Sequence, residues 1–185
     1  VGEIDDAIER ADRESFTRQP PKTLQARINF LIKQLKTTKA VAAELGVSQR
    51  SVERYRKGER KHPPKPIAER IDDAVRQRWQ PQVRKRRQKQ AATTRGITVE
   101  TRARFGYTAP IGTTDDGRFR RLTVHLPPAY AQRLFDARNT GASDQQMRQI
   151  IAEGLKDVYF QDGGTRATGL SDVTLNDIDY LDLDY

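Results

Sequence analysis

The stretch Thr38-Lys39-Ala40-Val41-Ala42-Ala43-Glu44-Leu45-Gly46-Val47-Ser48-Gln49-Arg50-Ser51-Val52-Glu53-Arg54-Tyr55-Arg56-Lys57 reads as two short helices joined by a tight turn. Ala42 is small where two helices must cross closely. Gly46 permits the left-handed backbone the turn needs. Ser48 is a cap for the second helix. Val41, Leu45, Val47, Val52 and Tyr55 fall on the side a shared core would bury. The second helix then turns Gln49, Arg50, Glu53, Arg54 and Lys57 outward. Glutamine and arginine pair with adenine and guanine edges in a major groove. Ser51 and Arg56 are within reach of phosphate oxygens, and Ser48 is counted with this DNA-binding set. The pattern is that of a DNA-binding helix-turn-helix.

Working outward, residues 3–16 carry Ile4, Ala7, Ile8 and Ala11 at helical spacing. A helix from Thr23 has Leu24, Ile28, Leu31, Ile32 and Leu35 as its apolar stripe. After the break at His62-Pro63-Pro64-Lys65-Pro66, Ile67–Trp79 is helical again. Residues 1–80 are therefore expected to form one helical DNA-binding domain. Residues 118–161 read as a strand followed by two helices. Leu122, Val124 and Leu126 alternate with Arg121, Thr123 and His125, Pro127-Pro128 opens one helix and Ser143 caps the next. This module either enters a groove through its polar strand face or binds another protein. Its lone strand has unpaired edges, which points to a homodimer or a protein partner.

The 185 residues carry 34 Lys+Arg and 25 Asp+Glu, a balance of +9 that is unevenly spread. Ahead of Asp162 stand 33 bases against 19 acids, a balance of +14. Between Arg76 and Arg104 ten bases meet the single acid Glu100, with Arg84, Lys85, Arg86, Arg87 and Lys89 the densest part. A polyanion is the natural partner of such a run, and a solvated linker the plainer alternative. Residues 81–117 are accordingly expected to be a basic arm ending in a glycine-rich loop. Residues 162–185 hold six acids against Arg166 and are expected to be a disordered acidic tail. The expected fold class is mainly α: helix-turn-helix domain, basic arm, strand-helix-helix module, acidic tail. With 35% apolar residues, small cores joined by solvated segments fit better than one large core.

No cysteine is present, which excludes disulfides and thiolate metal sites, and His62 and His125 are the only histidines. No metal site, tightly bound cofactor or membrane span is expected. There is no phosphate-binding loop and no catalytic constellation, so the chain is not expected to be an enzyme. Arg102-Ala103-Arg104-Phe105-Gly106-Tyr107 interleaves bases with aromatics, either to stack unpaired bases or to anchor a loop.

The order of parts carries a family resemblance. An acidic first helix precedes Ala42-Ala43-Glu44-Leu45-Gly46-Val47-Ser48. Then follow Val83-Arg84-Lys85-Arg86-Arg87-Gln88-Lys89-Gln90, the loop Gly106 to Gly117, the strand Arg121 to Leu126, and the Asp-rich end. Over essentially its full length the chain resembles the telomere terminal proteins of linear bacterial chromosomes and plasmids. The resemblance implies a protein covalently capping 5′ DNA ends through a threonine and priming the filling of the gap at the 3′ overhang. It implies Thr114 as the nucleotidylated residue, with Thr113 as the alternative. Thr108, Thr93 and Thr94 are not distinguished from them by sequence. It further implies telomeric DNA as ligand, duplex and 3′ overhang, and a companion telomere-binding protein and a DNA polymerase as partners. The polymerase supplies the Mg2+, and the location is cytoplasmic, at replicon ends in the nucleoid. The alternative is a non-covalent helix-turn-helix transcriptional regulator or plasmid-partition protein.

Overall fold

A computed structural model describes residues 2–116 and 118–185. Helix predominates, as expected, and the described residues also form a four-stranded antiparallel sheet. The chain divides into two compact units, one of residues 16–82 and one of residues 1–15 with 83–185. The first helix, expected to belong with the DNA-binding domain, belongs instead to the unit built mostly from the C-terminal half.

In the unit 16–82, α2 (Leu24–Leu35), α3 (Thr38–Leu45), α4 (Gln49–Lys57) and α5 (Lys65–Arg78) share one core. Each of the first three starts on a hydroxyl cap. Thr23 accepts from the Ala26 N–H, Thr37 from Ala40 and Ser48 from Ser51, so each satisfies an otherwise orphaned donor. Gly46 closes α3 in the left-handed region at φ 64°, and a β-carbon there would meet Arg70 Nη1 at 2.7 Å. Arg70 donates to the Leu45 carbonyl at 3.1 Å, so the turn is both bent and braced. Ile28, Leu31, Val41, Leu45, Val52 and Tyr55 are fully or almost fully buried. Burying each is worth ~1.5–3 kcal/mol, which sets four short helices that would not be stable singly.

In the other unit α1 (Glu3–Glu14), α6 (Pro81–Gln90, its first residues at the boundary), α7 (Pro128–Asn139) and α8 (Asp144–Leu155) accompany the sheet. The central strand is β1 (Ile97–Ala109). β2 (Gly112–Asp115) and β3 (Arg120–Leu126) lie one after the other along one side of it, and β4 (Asp172–Asp184) runs along the other. Ile97, Val99, Ala103 and Phe105 alternate inward with Leu122, Val124 and Leu126, and Val173, Leu175, Leu181 and Leu183 complete the layer. Gly106 lets β4 approach, since a β-carbon would meet Thr174 Oγ1 at 2.4 Å.

The structure departs from the expected organisation in three further places. The basic arm and loop of 81–117 are helix α6, with Pro81 as its first residue, a π-helical turn (Ala91–Arg95), β1 and β2. The strand at 120–126 is not alone, because β1 pairs with it in register from Ile97↔Leu126 to Ala103↔Arg120. The strand thus has a partner within its own chain on one edge, while its outer edge pairs with no strand among the described residues. The acidic tail is β4 from Asp172 onward, its Val, Leu and Tyr185 side chains buried while its aspartates face out.

Beneath this layer sits a buried ionic cluster. Arg84 reaches Glu9 at 3.1 and 3.2 Å, Arg138 reaches Glu9 and Asp5 at 2.6 Å each, and Tyr185 donates to Asp12 at 2.6 Å. Burial raises the Asp12 pKa, and the Tyr185 hydroxyl and the two arginines only partly offset it. A carboxyl whose pKa is raised by folding stabilises the fold below its ordinary range and loses that contribution as pH rises through the raised value. Asp12→Asn keeps the acceptor for Tyr185 and has nothing to ionise. Its urea midpoint should therefore gain on the wild type as pH climbs from about 3.8 towards neutrality. Parallel midpoint–pH curves would mean that Asp12 ionises without penalty.

Candidate nucleic-acid interface and exposed hairpin

On α4 the side chains of Val52 and Tyr55 point into the core, so helical geometry turns Gln49, Arg50, Glu53, Arg54, Arg56 and Lys57 to the surface. All six are exposed or nearly so. Arg50, Arg56 and Lys57 make no ion pair among the described residues, and Arg54 has only a long contact of 3.7 Å to Glu59. The α4 surface is thus cationic and largely unopposed. Ser48 and Ser51 share a hydroxyl contact of 2.9 Å at the cap, leaving Ser51 half-buried. Gln49 is held by Thr38 and Glu53, through its nitrogen, at 2.9 and 3.2 Å. Thr38 had no place among the sequence-derived site residues. The clue available was its position at the start of α3, eleven residues before the start of α4.

The expected basic run divides into two classes. Arg84 faces inward on the buried Glu9 and Asp12, with 13% of its side chain exposed, and is withdrawn from the DNA-binding set. Gln88, one turn on, donates to Asp12. Arg87 is half-buried. Lys85, Arg86, Lys89 and Arg95 make no ion pair among the described residues, and all four are exposed. Arg102 and Arg104, counted in the same run, are spent on Asp179 and Asp177 of β4 and lie over the Phe119 ring. Phe105 is fully buried and Tyr107 packs edge-on against Phe160 at 5.3 Å, so the two aromatics anchor the sheet.

The segment Thr113-Thr114 lies on β2, in a hairpin with a two-residue loop, Pro110-Ile111. Both threonines are exposed, and Ile111 at the tip is fully so. Pairing puts Thr113 opposite Thr108 and Thr114 opposite Tyr107, on opposite faces of the ribbon. The Thr113 hydroxyl contacts that of Thr108 at 3.3 Å. Thr114 makes no side-chain hydrogen bond among the described residues. On the Thr114 face, burial raises the Tyr107 pKa, and hydrogen bonding from Arg120 lowers that of Asp116. Asp115 turns the other way and accepts from Asn176 at 2.9 Å. Gly117 lies outside the described residues. Thr93 and Thr94 donate to the Lys89 and Gln90 carbonyls, which ties them to their own helix.

Among the described residues no three His, Asp or Glu side chains converge as a metal group would require, and no helix is long and apolar enough to cross a membrane. Comparison with known proteins finds no matching family model, no matching curated protein and no matching solved structure.

Proposed function

We propose that this protein caps and primes the 5′ ends of a linear replicon, in the manner of the telomere terminal proteins, and takes the first nucleotide on Thr114, with Thr113 as the alternative. The observation that carries the reading is a threonine hydroxyl with no hydrogen-bond partner among the described residues, on an exposed hairpin, in a chain whose α4 surface is cationic and largely unopposed. α3 and α4 act as a helix-turn-helix in the major groove, and Lys85, Arg86, Lys89 and Arg95 lie on phosphates. The chain is the substrate of a polymerase, not an enzyme. The Thr114 Oγ attacks the α-phosphorus of a nucleoside triphosphate, the α–β bridging bond breaks, pyrophosphate leaves with the electron pair, and the hydroxyl proton passes to a base of the polymerase. The magnesium of that step belongs to the polymerase. A companion telomere-binding protein and a location at replicon ends in the nucleoid complete the proposal.

The deciding experiment isolates 5′ termini from the source cell, digests the DNA and maps the bound polypeptide. The expected result is one nucleotide on the tryptic peptide 105–118, which spans Thr108, Thr113 and Thr114. Free 5′ phosphates together with an unmodified peptide would leave a non-covalent duplex binder of the regulator or partition type.

Affinity for duplex DNA should fall steeply with salt. Changing Lys85, Arg86 and Lys89 together to alanine should flatten the log–log salt slope by about 3, near 0.9 for each phosphate no longer neutralised. Arg84→Ala should leave that slope alone and instead destabilise the fold by about 3 kcal/mol, because it leaves two buried carboxylates, Glu9 and Asp12, with Arg138 as their one remaining cation among the described residues. An unchanged slope in the triple variant would make α6 a structural helix only.

A further inference from the structure

Gln49 opens α4 and Thr38 opens α3. The side-chain nitrogen of Gln49 lies 2.9 Å from Thr38 Oγ1 and 3.2 Å from Glu53 Oε1. An ionised carboxylate only accepts, so the end of the amide facing Glu53 is the nitrogen, and chemistry settles which way the amide points. That nitrogen carries two hydrogens. One goes to Thr38 and the other to Glu53. The group left to Gln49 for an incoming ligand is its carbonyl oxygen, an acceptor. Glu53, exposed one turn further along, offers acceptors too.

This changes what the helix can read. Bidentate recognition of adenine by glutamine needs a free N–H for N7 as well as the oxygen for the N6 amino group. Gln49 has no free N–H, so adenine N7 would meet acceptors without a donor between them. Guanine O6 and N7 and thymine O4 are acceptors and would be repelled likewise. Cytosine presents its N4 amino donor and no acceptor at the major-groove edge. Beside this acceptor pair stand donors of fixed fork geometry, Arg50 and Arg54, which match guanine O6 and N7.

We infer that the Thr38–Gln49–Glu53 chain makes the α4 surface a reader of cytosine rather than adenine at one position, so that its ligand is a G·C-containing duplex site. The inference rests on the proposed groove-reading role of α3 and α4. Thr38 acts here as a positioning residue: it touches no base, and it fixes the donor–acceptor polarity of the residue that does.

The test is selection of a randomised duplex library by the full-length protein at one salt concentration, followed by sequencing. Gln49→Ala identifies the base position that Gln49 reads, as the one whose preference disappears. The wild type should select cytosine there on the contacted strand. Thr38→Val keeps the shape and frees one N–H of Gln49. Adenine at that position should then gain on cytosine by about fivefold or more, the lower end of what one bidentate contact discriminates. Glu53→Gln, which supplies new donors without touching α3, should move the preference the same way and guards against a folding defect in the first variant. Selection of adenine by the wild type, or base preferences in both variants that superimpose on the wild type's, would overturn the inference while leaving duplex reading in place. Failure of the folded wild-type chain to retain any duplex would remove the groove-reading role, and the inference with it.

Discussion

With Thr113 and Thr114 both replaced by alanine, the protein is expected to accept no nucleotide while holding duplex DNA as tightly as before. The effect is complete, because removal of the attacking oxygen leaves no bond to form. The fold should tolerate the change. Both side chains are exposed on β2, and the substitution removes only the Thr113–Thr108 hydroxyl pair. The single variants apportion the role. Thr114→Ala alone should abolish labelling if the hydroxyl without a partner is the primer; labelling that survives Thr114→Ala and disappears only in the pair assigns it to Thr113. The measurement is transfer of labelled nucleotide to the purified chain in an extract of the source cell. Persistent labelling of the double variant would take the hairpin out of the reading.

Changing Arg50 and Arg54 together to alanine should weaken specific duplex binding by about 2–6 kcal/mol, the sum of two base contacts at ~1–3 kcal/mol each. That corresponds to roughly 30-fold to 20,000-fold in Kd. Neither residue is part of the core of its unit: Val52 and Tyr55 supply the buried face of α4, and Arg54 gives up only its long contact to Glu59. Binding to non-specific DNA should fall much less, because it depends on the number of phosphates neutralised and not on base edges. A Kd for the selected site that does not move at fixed salt would contradict insertion of α4 into a groove.

The four helices around Gly46 were legible because every cue was local. The caps at Thr23 and Ser48, the left-handed glycine and the i, i+3, i+4 stripes each act within a turn or two of chain. The candidate site was legible to the same degree: Gln49, Arg50, Glu53 and Arg54 face outward because Val52 and Tyr55 face inward. The basic run was harder to read. Arg84 and Lys85 are neighbours of one charge, yet one is buried on Glu9 and the other exposed, and the acids that make the difference lie on α1, 75 residues away in sequence.

The largest misreadings concern β1 and β4. Residues 97–105 alternate Ile, Val, Thr, Ala and Phe with Thr, Glu, Arg and Arg, and Leu181, Leu183 and Tyr185 alternate with aspartates, so the period of a strand was present in both. Charge content hid it. A string of arginines reads as an arm and a string of aspartates as a tail when each is considered alone, and together they are the two sides of Arg102–Asp179 and Arg104–Asp177.

Helix, turn and the outward set on α4 are thus properties of the chain itself, because their causes are steric and act within a turn or so of chain. Which cations are left for a ligand, which face of the hairpin carries Thr114, and whether the acidic end is folded depended on long-range pairing. Thr98 meets Asp184 across β1 and β4, and no local preference encodes such a contact. It forms because alternating apolar side chains from distant segments gain more by sharing one buried layer than the closure of the intervening loop costs.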